Sequence, residues 1–101
     1  MQVSRIYLGL NTPNGDNSNK AVEEREAWIA CECEELFPQG CTTYDAVGIW
    51  KGDQERVIIV EIMHTSKTPA DTLAKLGIAY KNYARQEAVL FTQQEITALT
   101  F

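Results

Sequence analysis

Between Thr42 and Trp50 apolar and polar or small residues alternate, with Val47 and Ile49 on one face and Tyr44, Ala46, Gly48 and Trp50 on the other. A period of two marks a strand with unlike faces. Lys51-Gly52-Asp53-Gln54 then supplies a tight turn, in which glycine is free to take a positive φ. The next run, Val57-Ile58-Ile59-Val60-Glu61-Ile62-Met63, is apolar on both faces, as a central strand is. Such a strand needs cover on both sides, and the rest of the chain has to provide it.

Upstream, Arg5–Leu10 reads as a short strand, with Ile6, Leu8 and Leu10 on one face and Tyr7 and Gly9 on the other. The polar loop Asn11–Asn19 follows, rich in Asn, Gly and Pro, and ends in a helix cap at Ser18 or Asn19. From Lys20 to Phe37 the period is helical, with Val22, Ile29, Cys33 and Leu36 on a stripe flanked by Trp28. Phe37-Pro38-Gln39-Gly40 stops that helix. Downstream of the hairpin, Thr68 is expected to cap a second helix, with Pro69 at its first position and Asp71 in its first turn. That helix runs to about Arg85, with Leu73, Leu76, Gly77, Tyr80 and Ala84 on one face. Glu87–Phe91 reads as a strand, Gln93-Gln94 as a turn or kink, and Ile96–Phe101 as an extra C-terminal strand.

The order is β-α-β-β-α-β, and its simplest architecture is the α+β, ferredoxin-like βαββαβ sandwich, an antiparallel sheet with two helices on one face. The first and third strands are expected side by side in the middle, parallel to one another. A chain of 101 residues suits one domain, 1–101, without staples.

Composition narrows the function classes. No apolar run approaches the ~20 residues that span a bilayer, so no membrane contact is expected. The N-terminal residues enter strand-like sequence directly, with no signal-peptide pattern, which points to the cytoplasm. Cys31, Cys33 and Cys41 cannot all pair within one chain, and they read as packing residues of a reduced protein. Cys31 and Cys33, two apart on a helix, point away from each other, and with one histidine in the chain no metal or other cofactor is indicated. The net charge of −5 comes without a basic cluster, so nucleic acid is not an expected partner. Glu23, Glu24, Glu26, Glu32, Glu34 and Glu35 read as the solvated faces of the first helix, or else as a surface for a basic protein.

The pattern Tyr7-x-Gly9, Pro13-x-Gly15, Phe37-Pro38-x-Gly40-x-Thr42, Asp45-x-x-Gly48-x-Trp50, Tyr80-Lys81, Gln86-Glu87-x-Val89-Leu90 and Phe101 spans nearly the whole chain. It resembles a family of small proteins of bacteria and their viruses catalogued only as a domain of unknown function. Trp28 lies nearer to Phe37-Pro38 than that pattern has it, and an aromatic is displaced onto Tyr83, with Ala84 in its place. The resemblance implies a ferredoxin-like α+β fold and brings no activity and no catalytic residues.

Two places are candidates for chemistry. If the two central strands are parallel, the loops Asn11–Asn19 and His64–Thr68 emerge together, each leading into a helix N-terminus. Exposed backbone N–H groups and the helix dipole favour an anion there. Asn11, Asn14 and Asn17 add amides, Thr65, Ser66 and Thr68 hydroxyls, His64 an imidazole and Lys67 a charge. The second place is the sheet face away from the helices, with Tyr7, Tyr44, Trp50, Val57, Ile59, Glu61 and Met63. It is too apolar for water, and either a second copy or a ligand should cover it. Gly9 and Gly48 would leave room there for a flat ring, and Glu61 would pair with Arg5 across neighbouring strands.

No Ser/His/Asp or Cys/His arrangement is legible, so no catalytic residue is assigned. The expectation is therefore a non-catalytic, cytoplasmic homodimer or higher homo-oligomer that binds a small anionic or nucleotide-like ligand. One concrete form is a viral sponge sequestering a nucleotide-like signal of host defence. The alternatives are a small isomerase- or monooxygenase-like enzyme of the dimeric α+β barrel type, and an acidic protein-binding inhibitor.

Overall fold

The computed structural model describes Met1–Phe101. It contains β1 (Gln2–Gly9), α1 (Asn19–Leu36), β2 (Thr42–Trp50), β3 (Asp53–His64), α2 (Lys67–Tyr83) and β4 (Leu90–Glu95), in the expected order. The strands form one sheet, β2-β3-β1-β4, antiparallel at every pairing. This is the ferredoxin-like α+β architecture, with both helices on one face.

Each element has a local cause. At the β2–β3 turn Lys51 and Gly52 both take positive φ, 51° and 83°, the backbone of a two-residue hairpin matched to strand twist. Ser18 caps α1, its hydroxyl accepting from the Ala21 N–H at 3.3 Å. α2 begins two residues earlier than expected, with Ser66 rather than Thr68 as its N-cap residue, so Pro69 is not at the first helical position and Asp71 lies past the first turn. At its other end Arg85 takes φ 53° and the Gln86 N–H closes back on the Lys81 carbonyl at 2.9 Å. The chain therefore regains the sheet only at Leu90, so the last strand is shifted from Glu87–Phe91 and Gln93 and Gln94 lie inside it.

The core is built from the helix-facing residues of the sheet, Ile6, Leu8, Ile58, Val60 and Ile62, against Ile29 and Cys33 of α1 and Leu73, Leu76 and Tyr80 of α2. The sequence assigned the two faces of β3 correctly. Cys33 packs in that core and Cys41 against it, but Cys31 is exposed and is not a packing residue. Leu36, placed on the apolar stripe of α1, is also exposed. No helix is long and apolar enough to cross a membrane.

One expectation about the sheet fails, and it matters for the site. β1 and β3 are neighbours but run antiparallel, Gln2 opposite His64 and Gly9 opposite Val57. The reason is geometric. A β1-α1-β2 crossover makes the first and second strands parallel, and a tight hairpin then returns β3 between them in the opposite sense.

Candidate functional site

Because β1 and β3 are antiparallel, the loops Asn11–Asn19 and His64–Thr68 leave the sheet at opposite ends. The proposed anion site is therefore split, and its residues fall into separate places with different roles.

At the end of β1, the asparagines serve the loop itself. Asn17 accepts from the Thr12 N–H through Oδ1 at 2.7 Å and donates to the Thr12 carbonyl through Nδ2 at 3.1 Å. Asn14 takes φ 56°, a left-handed turn position that asparagine tolerates. Asn11 gives its N–H to Glu55 Oε2 at 3.1 Å, and its carbonyl accepts from Gln86 Nε2 at 2.6 Å. The organiser of this end is Arg25, which the sequence reading passed over. It is buried and donates to the Leu10 carbonyl (2.7 Å), Asn17 Oδ1 (3.1 Å) and the Asp16 carbonyl (2.5 Å). The signal was present, since position 25 lies three after Val22 and four before Ile29 on the apolar stripe of α1.

At the end of β3, His64, Thr65, Ser66 and Lys67 line a cleft of about 590 Å³ between the start of α2 and the strands β1 and β4. Thr68 is exposed and is not among its lining residues. Two observations weaken an anion reading of this cleft. Asp71 and Glu95 line it together with Lys67 and the Met1 ammonium, which pairs with Glu95 at 3.4 Å, so the cleft offers an anion no net positive charge. His64 faces inward, with both ring nitrogens engaged. Its Nδ1 lies 2.8 Å from the Ser66 carbonyl, which can only accept, so Nδ1 carries the proton. Nε2 accepts from the Ser4 hydroxyl at 2.7 Å, and Gln93 Nε2 donates to the Ser4 oxygen at 3.2 Å. This buried network ties β3, β1 and β4 together below the cleft.

The open face of the sheet holds the rest. The register sets Tyr44, Ile59, Tyr7 and Leu90 in one row across the four strands, and Thr42, Glu61, Arg5 and Thr92 in the next. Arg5 Nε donates to Glu61 Oε1 at 2.7 Å, the cross-strand pair that the sequence indicated. The Glu61 side chain is only 15% exposed, and its Oε2 makes no hydrogen bond within the chain. The Arg5 pKa is pushed up, first by its bond to Glu61 and further by the Tyr44 hydroxyl. Beside this pair the Thr92 hydroxyl is buried without a partner.

Room above the two glycines is taken. A Cβ on Gly9 would stand 2.7 Å from Glu55 Oε1, and one on Gly48 would stand 2.9 Å from Val57 Cγ2. The bare backbone there accommodates neighbouring side chains and leaves no slot for a ring. Trp50 sits apart at the hairpin tip, exposed, with Lys51 Nζ 5.8 Å from its ring centroid. Of the predicted residues, Tyr7 and Tyr44 thus stay together with Glu61, while Trp50, the asparagines and the His64–Thr68 loop lie elsewhere.

The chain belongs to the family described as "Protein of unknown function (DUF3574)", whose model matches residues 3–101. No curated protein matches the sequence. Among solved structures, the chain is similar to a phage SAM lyase in its apo state, at 18% identity and a TM-score of 0.66, over 99% of this chain and 91% of that one. It is also similar to a phage SAM lyase in complex with S-methyl-5'-thioadenosine, at 19% identity and a TM-score of 0.64, over 93% of this chain and 80% of that one. At these identities the likeness is one of fold. It overturns the expectation of a non-catalytic sponge, because the solved structures on which nearly all of this chain superposes are those of an enzyme.

Proposed function

We propose that this protein is an enzyme acting on a small cationic nucleoside of the S-adenosylmethionine kind, on the open face of its sheet. The observation that carries the reading is Glu61, a largely covered carboxylate fixed by Arg5 through one oxygen and free at the other, next to the row formed by Tyr44, Ile59, Tyr7 and Leu90. A free carboxylate oxygen beside Tyr44 and Tyr7 suits a ligand with a positive charge and a flat base. The charge is met by the carboxylate and the ring faces, and the base by stacking and apolar contact with the exposed Leu90 of the same row. The likeness in fold to a SAM lyase, and to its complex with S-methyl-5'-thioadenosine, supports a substrate of this class.

The reaction we assign is cleavage of a carbon–sulfur bond of the sulfonium. Sulfur takes the bonding pair and leaves as a neutral thioether, while the substrate's own α-carboxylate attacks the carbon that sulfur leaves and closes a C–O bond. The products are a lactone and a nucleoside that has lost the positive charge of the sulfonium. Glu61 and Tyr44 hold and orient the cation, and Arg5 positions Glu61. The surface that remains exposed, with Met63 and Leu90 beside the site, is where a second copy would exclude water from the substrate.

The test is direct. Incubated with S-adenosylmethionine, the protein should release S-methyl-5'-thioadenosine, followed by chromatography and mass spectrometry. Glu61→Gln keeps the shape and the Arg5 contact, and should lower kcat/KM by ~100-fold, or ~2.7 kcal/mol of transition-state stabilisation. Substrate recovered unchanged after long incubation with micromolar protein would overturn the reading. Undiminished turnover by Glu61→Gln would move the site off this face.

A further inference from the structure

The sheet has two unpaired backbone features that match each other. The first is the outer edge of β2. It is nine residues long, and every other residue along it presents an N–H and a C=O outward with no strand beyond. Proteins that leave an edge in water blunt it with lysine, proline, a bulge or brevity. β2, Thr-Thr-Tyr-Asp-Ala-Val-Gly-Ile-Trp, has none of these. Its one charge, Asp45, is engaged by Arg56 of β3 at 2.6 Å, on the inner side. Val47 and Ile49 stand 67% and 71% exposed on it.

The second feature is the segment Ile96–Phe101, Ile-Thr-Ala-Leu-Thr-Phe, which leaves the sheet at the opposite edge, after β4. It is uncharged, free of Pro and Gly, and rich in β-branched residues, the composition of a strand. The Ile96 N–H donates to the Met1 carbonyl at 2.9 Å, and beyond it no backbone hydrogen bond ties the segment to the rest of the chain. Leu99 and Phe101 are exposed and belong neither to the core nor to the residues packed against it.

We infer that Ile96–Phe101 of one copy adds as a strand to the β2 edge of a second copy. Donor and acceptor lie on opposite edges of the same sheet, so the contact is head-to-tail and each copy both gives and receives. Repetition of such a contact closes into a ring when the rotation between copies allows it. Val47 and Ile49 gain the cover that α1 does not extend to give, and Leu99 and Phe101 lose their exposure in the same step. The inference does not depend on what the open face binds, because it concerns the sheet edges alone.

Two variants test it. Leu99→Asp with Thr100→Pro disables the donor, and Val47→Lys with Ile49→Lys disables the acceptor at positions already in water, so neither removes a core contact. In analytical ultracentrifugation the parent should be a closed oligomer and each variant a monomer with unchanged far-ultraviolet circular dichroism. An equimolar mixture of the two should form a 1:1 heterodimer and nothing larger, because one intact donor meets one intact acceptor. Should either variant misfold, amide hydrogen exchange of the parent decides. The amides of Thr97–Thr100 should be protected at high concentration and lose protection on dilution. A monomeric parent, variants that still assemble, or tail amides unprotected in the assembled protein would each overturn the inference.

Discussion

At the scale of single residues, the groups that hold this fold together are polar ones placed where the apolar pattern alone would not put them. Arg25 is a buried guanidinium whose partners are two backbone carbonyls and an amide oxygen, and it fixes the loop between β1 and α1 from within. Tyr80, fully buried, donates from its hydroxyl to the Gly9 carbonyl at 2.6 Å, and burial pushes its pKa up. Cys33 behaves likewise. Burial, and then the neighbouring Cys41 thiol, raise it from an ordinary 9.0 to about 12. Both groups are neutral in the folded protein well past the pH at which the unfolded chain ionises them. For Cys33 the stability is therefore complete below pH 9 and is lost as pH rises from there towards 12, since only the unfolded state gives up the proton. Urea unfolding at several pH values should show a flat plateau to about pH 9. Above it stability should fall at up to ~1.4 kcal/mol per pH unit for this one thiol. Tyr80 adds to the fall only above pH 10, its ordinary value. In Cys33→Ala the decline between pH 9 and 10 should shrink markedly. An unchanged slope would mean that another group carries it.

Among the elements, β3 is the one that the rest are built around. Ile62, on its helix-facing side, is buried with Val60 and Ile58 against Leu73 and Leu76. Truncation to Ala should cost ~2–5 kcal/mol in chemical denaturation, by lost transfer energy and a residual cavity. A cost under ~0.5 kcal/mol, the size of a surface change, would mean that the strand's faces are misassigned. The sequence carried that assignment because period-two alternation on Arg5–Leu10 and the flanking helical stripes all point to the same layer. Strand direction was not legible in the same way. It follows from how a hairpin and a crossover combine, not from the composition of β1 or β3, and misreading it merged two loops that lie at opposite ends of the sheet. The pair Arg5–Glu61 was legible because each is the single charge in its own strand stretch, Arg5–Leu10 and Val57–Met63, so the match needed no register. The Ser4–His64–Gln93 network was not, because it joins three strands whose register no single stretch encodes. The extent of α2 was blurred for a smaller reason. Ser66, Lys67 and Thr68 are all acceptable near a helix start, and Ser66 holds the cap position without a side-chain bond to advertise it.

For the molecule as a whole, the decisive quantity is the sign of its field. Fourteen carboxylates against nine basic side chains give −5. Glu61 and Glu55 stand on the open face itself, with Arg5 as the cation beside them. Such a field draws a sulfonium or ammonium substrate towards the face and repels a phosphate. An anionic ligand, the expectation from the loops alone, would have to bind against this potential at a cleft that carries Asp71 and Glu95. Ionic strength separates the two cases by direction rather than by size. Screening weakens attraction and repulsion alike, over a Debye length that shrinks from ~30 Å at 0.01 M salt to ~10 Å at 0.1 M. For a cationic nucleoside, kcat/KM should therefore fall several-fold as sodium chloride rises from about 0.01 to about 0.3 M, mainly through KM. For an anionic ligand of the same size, affinity should hold or improve over the same range. Initial rates with S-adenosylmethionine, alongside calorimetric titration with adenosine monophosphate, measure both on one preparation. A rate that climbs with salt, or a nucleotide whose affinity falls with it, would show that the ligand is held by a positive surface, and Lys67 rather than Glu61 would then be the residue to pursue.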